Sequence, residues 1–220
     1  MASKKRRRSP RQRSATKGVD GYRYDVFFSY PRVGSIQRWV QDVLKPQLQD
    51  YLTDAIGNAE VYLDVEEERP GSLWPSSLSD KHQRSRVILP ILCAPYFKSG
   101  WCISEWTNAI DRGPGREDVP CVIPIWFNDA EPDYFSFLPS RLQKDIGART
   151  RVDFRSYNTL VKENLPSSAP IANEFRAALR EFCEDSLKHS VQGARPWSAD
   201  WPKLPQAPIS GQDPSWRSRL

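Results

Sequence analysis

The stretch Lys98–Trp106, KSGWCISEW, sets two tryptophans, a cysteine and a glutamate at the start of what reads as a helix. Trp101 lies four residues before Glu105, so on a helix the two side chains share a face. A flat aromatic beside a carboxylate suits a planar base attached to a sugar: the indole stacks, and the carboxylate accepts hydrogen bonds from ribose hydroxyls. Glutamate in an early turn is also favoured by the helix dipole alone, and spacing does not separate a solvated helix acid from a working one. Cys102 has no base near it in sequence and reads as a cysteine facing the core. Trp106 points elsewhere on the helix and reads as packing.

Other chemistries lack their residues. The first strand is followed by no G-x-G-x-x-G, and there is no Walker loop or G-x-S-x-G elbow. The only histidines, His82 and His189, fall in helix-like segments, which gives a Ser–His–Asp arrangement little support. Cys93, Cys102, Cys121 and Cys183 form no C-x-x-C pair, so neither a zinc site nor a disulfide framework is expected.

The elements that must position Trp101 and Glu105 alternate in type. YRYDVFFSY, residues 22–30, reads as a buried strand. Ile36, Trp39, Val40, Val43, Leu44, Leu48 and Leu52 follow at helical spacing, with Pro46 set to bend that helix. AEVYLD (59–64) is a second short strand, running into a loop with a turn at Pro70 and Gly71. A short helix fits from about Trp74 to Arg84, with Ser72 as its N-cap. RVILPILC (86–93) reads as the central parallel strand despite Pro90. Ser99 is a plausible N-cap for the helix that carries Glu105. CVIPIWF (121–127) is a fourth strand, ARTRVDF (148–154) a fifth at an edge. A last helix covers 171–188, with Ile171, Phe175, Ala178, Leu179 and Phe182 on one face. Between Asp129 and residue 148 the pattern blurs.

Strands and helices in alternation imply parallel βαβ units, a single α/β domain of flavodoxin-like architecture, with five parallel strands and helices on both faces. Ligands in such folds sit at the carboxyl ends of the strands, near the switch in strand order. That points to Ser29 and Tyr30, to the loop from Asp64 to Trp74, and to the loop before the Glu105 helix.

The formal charge of +5 belongs to the front of the chain. Eight cations and no acid lie within residues 1–17, leaving −3 for the rest. Residues 1–20 are expected to be a disordered basic arm, either a solubilising tail or a contact to nucleic acid or an anionic surface. The mildly acidic remainder argues against a nucleic-acid-binding domain. Residues 21–190 make the domain. Residues 191–220 carry five prolines with Trp197, Trp201 and Trp216. They form a non-helical tail that either packs on the body or a partner or stays extended. No apolar run approaches the roughly 18 residues that span a bilayer, and no apolar segment follows the basic start as in a secretory signal, so a cytoplasmic protein is expected.

Together these stretches resemble the Toll/interleukin-1 receptor (TIR) domain family, from about Tyr22 to Lys188. YDVFFSY is similar to the family's first box, YLDVEEERPGSLW to its second strand and Pro-Gly loop, and SRVILPILCAPYFKSGWCISEW to its third strand and S-x-WC-x-x-E signature. Two departures stand out. Cys93-Ala94-Pro95 replaces the usual Ser-Pro, and Pro31 follows Ser29-Tyr30 where a polar or basic residue is more usual, with Arg32 one place later.

The resemblance implies one of two functions. Prokaryotic-type and other NAD-cleaving members act as NAD+ nucleosidases in defence, including antiviral defence, or in signalling. They break the nicotinamide–ribose bond with the signature glutamate, which matches Glu105. On that reading NAD+ is the substrate and neither a cofactor nor a metal is needed. Trp101 stacks on the nicotinamide, Ser29, Tyr30 and Arg32 line the base or phosphate side, and Leu73 and Trp74 close the pocket. The alternative is a non-enzymatic adaptor that recruits other TIR proteins through the Pro-Gly loop. Either way the resemblance implies homo-oligomers through TIR–TIR contacts. With no sensor domain visible, activation is expected from a separate sensor or effector protein, a small-molecule signal or self-assembly.

Overall fold

Val26, Phe27 and Phe28 are consecutive, apolar and buried, as a strand must be when both faces of its sheet are covered. They lie in β1 (Tyr24–Ser29). The computed structural model describes residues 20–64, 74–113, 119–129 and 138–205, with the backbone alone for 74–76. Residues 1–19 of the basic arm, the Pro70-Gly71 turn, Ser72, Leu73, the Trp74 side chain and Trp216 lie outside the described residues.

The remaining strands are β2 (Val61–Tyr62), β3 (Ser85–Leu92), β4 (Ile125–Trp126) and β5 (Val152–Asp153). They form one sheet in the order β2-β1-β3-β4-β5 with every pairing parallel. β3 is central and β5 is an edge, as expected. The order reverses between β1 and β3, and Ser29, the last residue of β1, stands in register with Pro90.

The strands other than β1 and β3 are shorter than their apolar runs, and two prolines explain the largest difference. Ile88 donates to the Cys121 carbonyl at 2.8 Å and accepts from the Ile123 N–H at 3.1 Å. Two residues on, Pro90 faces the same neighbour without an N–H to give. Pairing on that side shrinks to an isolated bridge, Ile88–Val122, and resumes only at Ile91–Ile125. Pro124 in turn faces β5 and contributes only its carbonyl, to Val152 N–H at 2.9 Å. The strand expected over 121–127 is therefore reduced to Ile125–Trp126.

One face of the sheet is covered by α1 (Gly34–Arg38), a π-helical turn (Trp39–Leu44) and α2 (Lys45–Ile56). The widened turn lies directly before Pro46, which cannot donate back to the preceding turn, so the expected reset is observed. Gly57 ends α2 at φ +88, donating to the Thr53 carbonyl at 2.8 Å. Trp39, fully buried, packs on Phe127, Phe154 and Phe175 at 5.0, 6.4 and 5.9 Å between centroids. The other face carries α3 (Trp74–Gln83), α4 (Ala94–Lys98) and α5 (Gly100–Asp111).

In the stretch where the sequence pattern blurs, the structure has α6 (Ser140–Ala148). Its buried residues are Leu142 and Ile146, too few to announce a helix. A short α7 (Thr159–Lys162) leads to the last helix, α8 (Pro170–Glu181), a second π-helical turn (Phe182–Leu187) and α9 (Lys188–Gln192). That helix runs two residues into the segment assigned to the tail.

The tail then folds back onto the amino-terminal edge of the sheet. Arg84 stacks over Trp197 at 4.6 Å, and Arg112 and Arg195 lie over Trp201 at 5.2 and 4.6 Å. Gln83 donates to the Trp201 carbonyl at 2.7 Å, Leu204 N–H donates to Ser79 at 2.9 Å, and the Leu204 side chain is buried. Gly21 is required beneath it: its φ is +86, and a Cβ would stand 2.7 Å from the Trp197 ring. Residues 194–205 are thus part of the domain. Trp201→Ala removes a ring between two guanidinium groups and is expected to destabilise the fold by about 2 kcal/mol. Urea denaturation checks this; a change within error of wild type would mean the tail only rests on the surface.

Candidate functional site

Ser99 starts the helix that carries Glu105. Its backbone is extended and its hydroxyl accepts from Cys102 N–H at 3.3 Å, as an N-cap should. Proline at the first turn of α4 and this cap set α4 and α5 end to end after β3, above the carboxyl ends of β1 and β3. From α5 the Glu105 side chain reaches the sheet, where Ser29 Oγ–H donates to Glu105 Oε2 at 2.6 Å. Phe27 packs edge-on to His82 of α3, so Ser29, two residues later, points to the same helical layer.

Glu105 is 6% exposed and Trp101 is 3% exposed. Removal from water favours the neutral acid, and Asp64 adds repulsion; Ser29 and Arg32 work the other way. Burial wins, and the carboxyl is pushed up to about 8. Asp64 follows β2 and is ion-paired to Arg32, which also donates to the Asp64 carbonyl at 3.4 Å.

The structure brings Ser29, Trp101 and Glu105 into one buried layer at the switch point, with Arg32 beside it through Asp64. Tyr30 is buried, but its hydroxyl accepts from Gln41 Nε2 at 3.3 Å, on the layer of α1 and α2. Cys102 is buried and its thiol is held well above the ordinary range, first by desolvation and then by Glu105, which removes it as a nucleophile. Trp106 is fully buried and donates to Asp145 at 2.9 Å, as a core residue.

Sequence reasoning missed Tyr96 as a site residue, and reached Asp64 only as the start of a candidate loop, with no role of its own. Tyr96 Oη lies 3.0 Å from Ser29 Oγ and donates to the Cys102 carbonyl at 3.1 Å. Its one signal was position, directly after the central strand. His82 is fully buried, and its Nδ1 lies 3.0 Å from Arg112 Nη2. A guanidinium only donates, so Nδ1 accepts and the ring is neutral. Burial and Arg112 hold it well below its ordinary value. Among the described residues no group of three His, Cys, Asp or Glu side chains is arranged to hold a metal ion.

A parallel sheet in this order, with a carboxyl buried where β1 and β3 diverge, defines an α/β domain whose candidate site sits at the strands' carboxyl ends. The family model for the TIR domain matches residues 26–165, well over half of the chain. The protein belongs to the TIR domain family. Among solved structures it is similar to the crystal structure of the TIR domain of the Toll-related receptor TRR-2 from Hydra magnipapillata. The two share 16% identity with a TM-score of 0.43, over 70% of this chain and 98% of that one. No curated protein matches the chain. No helix among the described residues is long and apolar enough to cross a membrane.

The raised acidity constant has a consequence for stability. Unfolded, the carboxyl keeps its ordinary value of 4.5; folded, it loses its proton only near 8. Between those values the folded chain holds a proton that the unfolded chain has released, so stability falls as pH rises through the window. Glu105→Gln keeps an acceptor for Ser29 and cannot ionise. It is expected to melt above wild type, with a gap that widens from about pH 5 to about pH 8.5. Thermal denaturation across that range checks the sign; a constant gap would mean the carboxyl is not shifted.

Proposed function

We propose that this TIR domain is an NAD+ nucleosidase that cleaves the nicotinamide–ribose bond, with Glu105 as the catalytic residue. The observation that carries this reading is a carboxyl buried at the carboxyl ends of β1 and β3, held by Ser29 and one helical turn from Trp101. Nicotinamide leaves NAD+ as a neutral molecule, so its departure needs no acid. The C1′–N bond breaks with both electrons going to the ring, and positive charge moves to the ribose. A carboxylate fixed beside that carbon stabilises the transition state more than the ground state. Attack by water then yields ADP-ribose and a proton; attack by a nucleophile of the same dinucleotide yields a cyclised product.

The neutral acid of the resting site fits this scheme. A cationic nicotinamide ring stabilises the ionised carboxylate, so the proton leaves as substrate binds. The pH limb of kcat/KM, which reports the free enzyme, therefore lies near 8, and the limb of kcat lies lower. Trp101 would stack on the nicotinamide and Arg32 would face the phosphates once its pairing with Asp64 loosens. A carboxyl at 6% exposure meets no sugar carbon until its cover moves. Self-assembly is the step that would drive that opening, in keeping with the family resemblance.

The test is release of free nicotinamide from NAD+ by wild type and Glu105→Ala, under conditions that force assembly. Wild type is expected to release it, more per molecule as protein concentration rises. The variant is expected to lose on the order of 10²–10³ in rate. No release by either chain, with assembly confirmed, would leave the adaptor role. A second check uses Asp64→Asn. It removes a repulsive charge and frees Arg32, so the kcat/KM limb should move to lower pH. An unchanged limb would mean that Asp64 and Arg32 do not act on the titrating group.

A further inference from the structure

Four oxygens stand in line behind the candidate site. Glu105 Oε2 is 2.6 Å from Ser29 Oγ, Ser29 Oγ is 3.0 Å from Tyr96 Oη, and Tyr96 Oη is 3.1 Å from the Cys102 carbonyl. Glu105, Ser29 and Tyr96 are all buried. The line has three links, and the number of protons available decides their direction. With the carboxyl protonated there are three. Glu105 donates to Ser29, Ser29 to Tyr96, and Tyr96 to the Cys102 carbonyl, and every link is filled. With the carboxyl ionised there are two, and both must turn towards the charge. Tyr96 then donates to Ser29 and Ser29 to Glu105, while the Cys102 carbonyl keeps its place within α5.

Tyr96 is the pivot, because its hydroxyl sits almost equally far from two acceptors. Its ring does not have to move. It is fully buried and packed edge-on against Phe97 and Trp106 at 5.6 and 6.1 Å between centroids. Burial also holds the phenol well above its ordinary range, so Tyr96 reorients its proton without losing it.

We propose that Ser29 and Tyr96 form a reversible hydroxyl relay in which Tyr96, a positioning residue that is not hydrogen-bonded to Glu105, stabilises the Glu105 carboxylate through Ser29. The functional meaning rests on the reading of Glu105 as the acting carboxylate; the relay itself does not. A hydrogen bond to a charged acceptor is about twice as strong as a neutral one, and a chain of them is cooperative. The reversed relay therefore favours the ionised form. Other groups facing this acid are Arg32 and Asp64 beyond the ends of β1 and β2, and Cys102 on its own helix. His82 of α3 faces its backbone carbonyl. Cys93 and Cys102 stand near Tyr96. Apart from the Arg32–Asp64 pair these groups stay neutral across the working pH range, so the relay is the part that responds.

The test is a titration of the Glu105 carboxyl by carbon NMR, in the full chain labelled at glutamate carboxyls, with Glu105→Gln identifying the signal. The chains are wild type, Ser29→Ala, Tyr96→Phe and the double variant. Ser29→Ala is expected to raise the titration midpoint by about one pH unit and Tyr96→Phe by about half of one. The double variant should match Ser29→Ala alone, because Tyr96 acts only through Ser29. Should Ser29→Ala fail to fold, Ser29→Cys keeps a weak donor and is expected to fall between wild type and the loss. A Tyr96→Phe midpoint equal to wild type, or a shift that persists in full without the Ser29 hydroxyl, overturns the relay. The kcat/KM limb should move with the NMR midpoint in Tyr96→Phe. Coupled midpoints in a chain that never releases nicotinamide would uphold the relay and remove only the nucleosidase reading.

Discussion

The hydrogen bond between Ser29 and Glu105 is the contact on which the candidate site depends. A carboxyl group taken out of water has to be neutralised or held by donors, since burial of an unpaired charge is among the largest penalties in a fold. Ser29 is the hydroxyl within reach, and it is the last residue of β1. The bond therefore ties α5 to the sheet at the position where the order of strands reverses. Its strength is insufficient to keep the acid ionised at neutral pH, so the resting group carries its proton.

The rest of the architecture can be read as support for that contact. β3 is the longest of the described strands and stands at the centre, and its Pro90, with Pro124, interrupts pairing only on the side away from β1. The β1–β3 ladder, which fixes the height of Ser29, is continuous from Val26 to Ser29. On the opposite edge the returning tail seals the start of β1 and the end of α3 with Trp197, Trp201 and Leu204. The buried Arg112 beneath Trp201 bonds to Ser85 and His82, joining the end of α5 to the start of β3. The helix with the acid is thus held at both ends, by Ser99 above and by Arg112 below.

A buried acid that releases its proton late costs stability whenever the pH exceeds the ordinary carboxylate range. A glutamine would satisfy Ser29 without the penalty. Trp101 and Glu105 share a low exposure, and in a dry environment a charge acts more strongly than in water.

Much of the fold could be read from the chain. Alternating runs marked the five strands, the apolar density of 86–93 marked the central one, and Ser99 marked the start of α5, because these are local signals of period, composition and capping. The spacing of four put Trp101 and Glu105 on one helix face, but the signature resemblance, not that spacing, singled Glu105 out. Strand lengths were not, since Pro90 and Pro124 act on whichever neighbour they face, and that neighbour is unknown before the sheet is assembled. Helix α6 was hidden by having only Leu142 and Ile146 to show. Tyr96, Asp64 and the pairing of His82 with Arg112 lay beyond sequence for the same reason. Their partners are 67, 32 and 30 positions distant, counting Tyr96 to Ser29, Asp64 to Arg32 and Arg112 to His82. The chain alone determined which residues could carry charge, stack or cap. Only the tertiary structure decided that Glu105 loses its water, that Tyr30 turns to Gln41 while Ser29 turns to the acid, and that residues 194–205 pack on the domain with Leu204 in its core. Burial and hydrogen bonding at a distance are properties of the packed chain, and no local pattern encodes them.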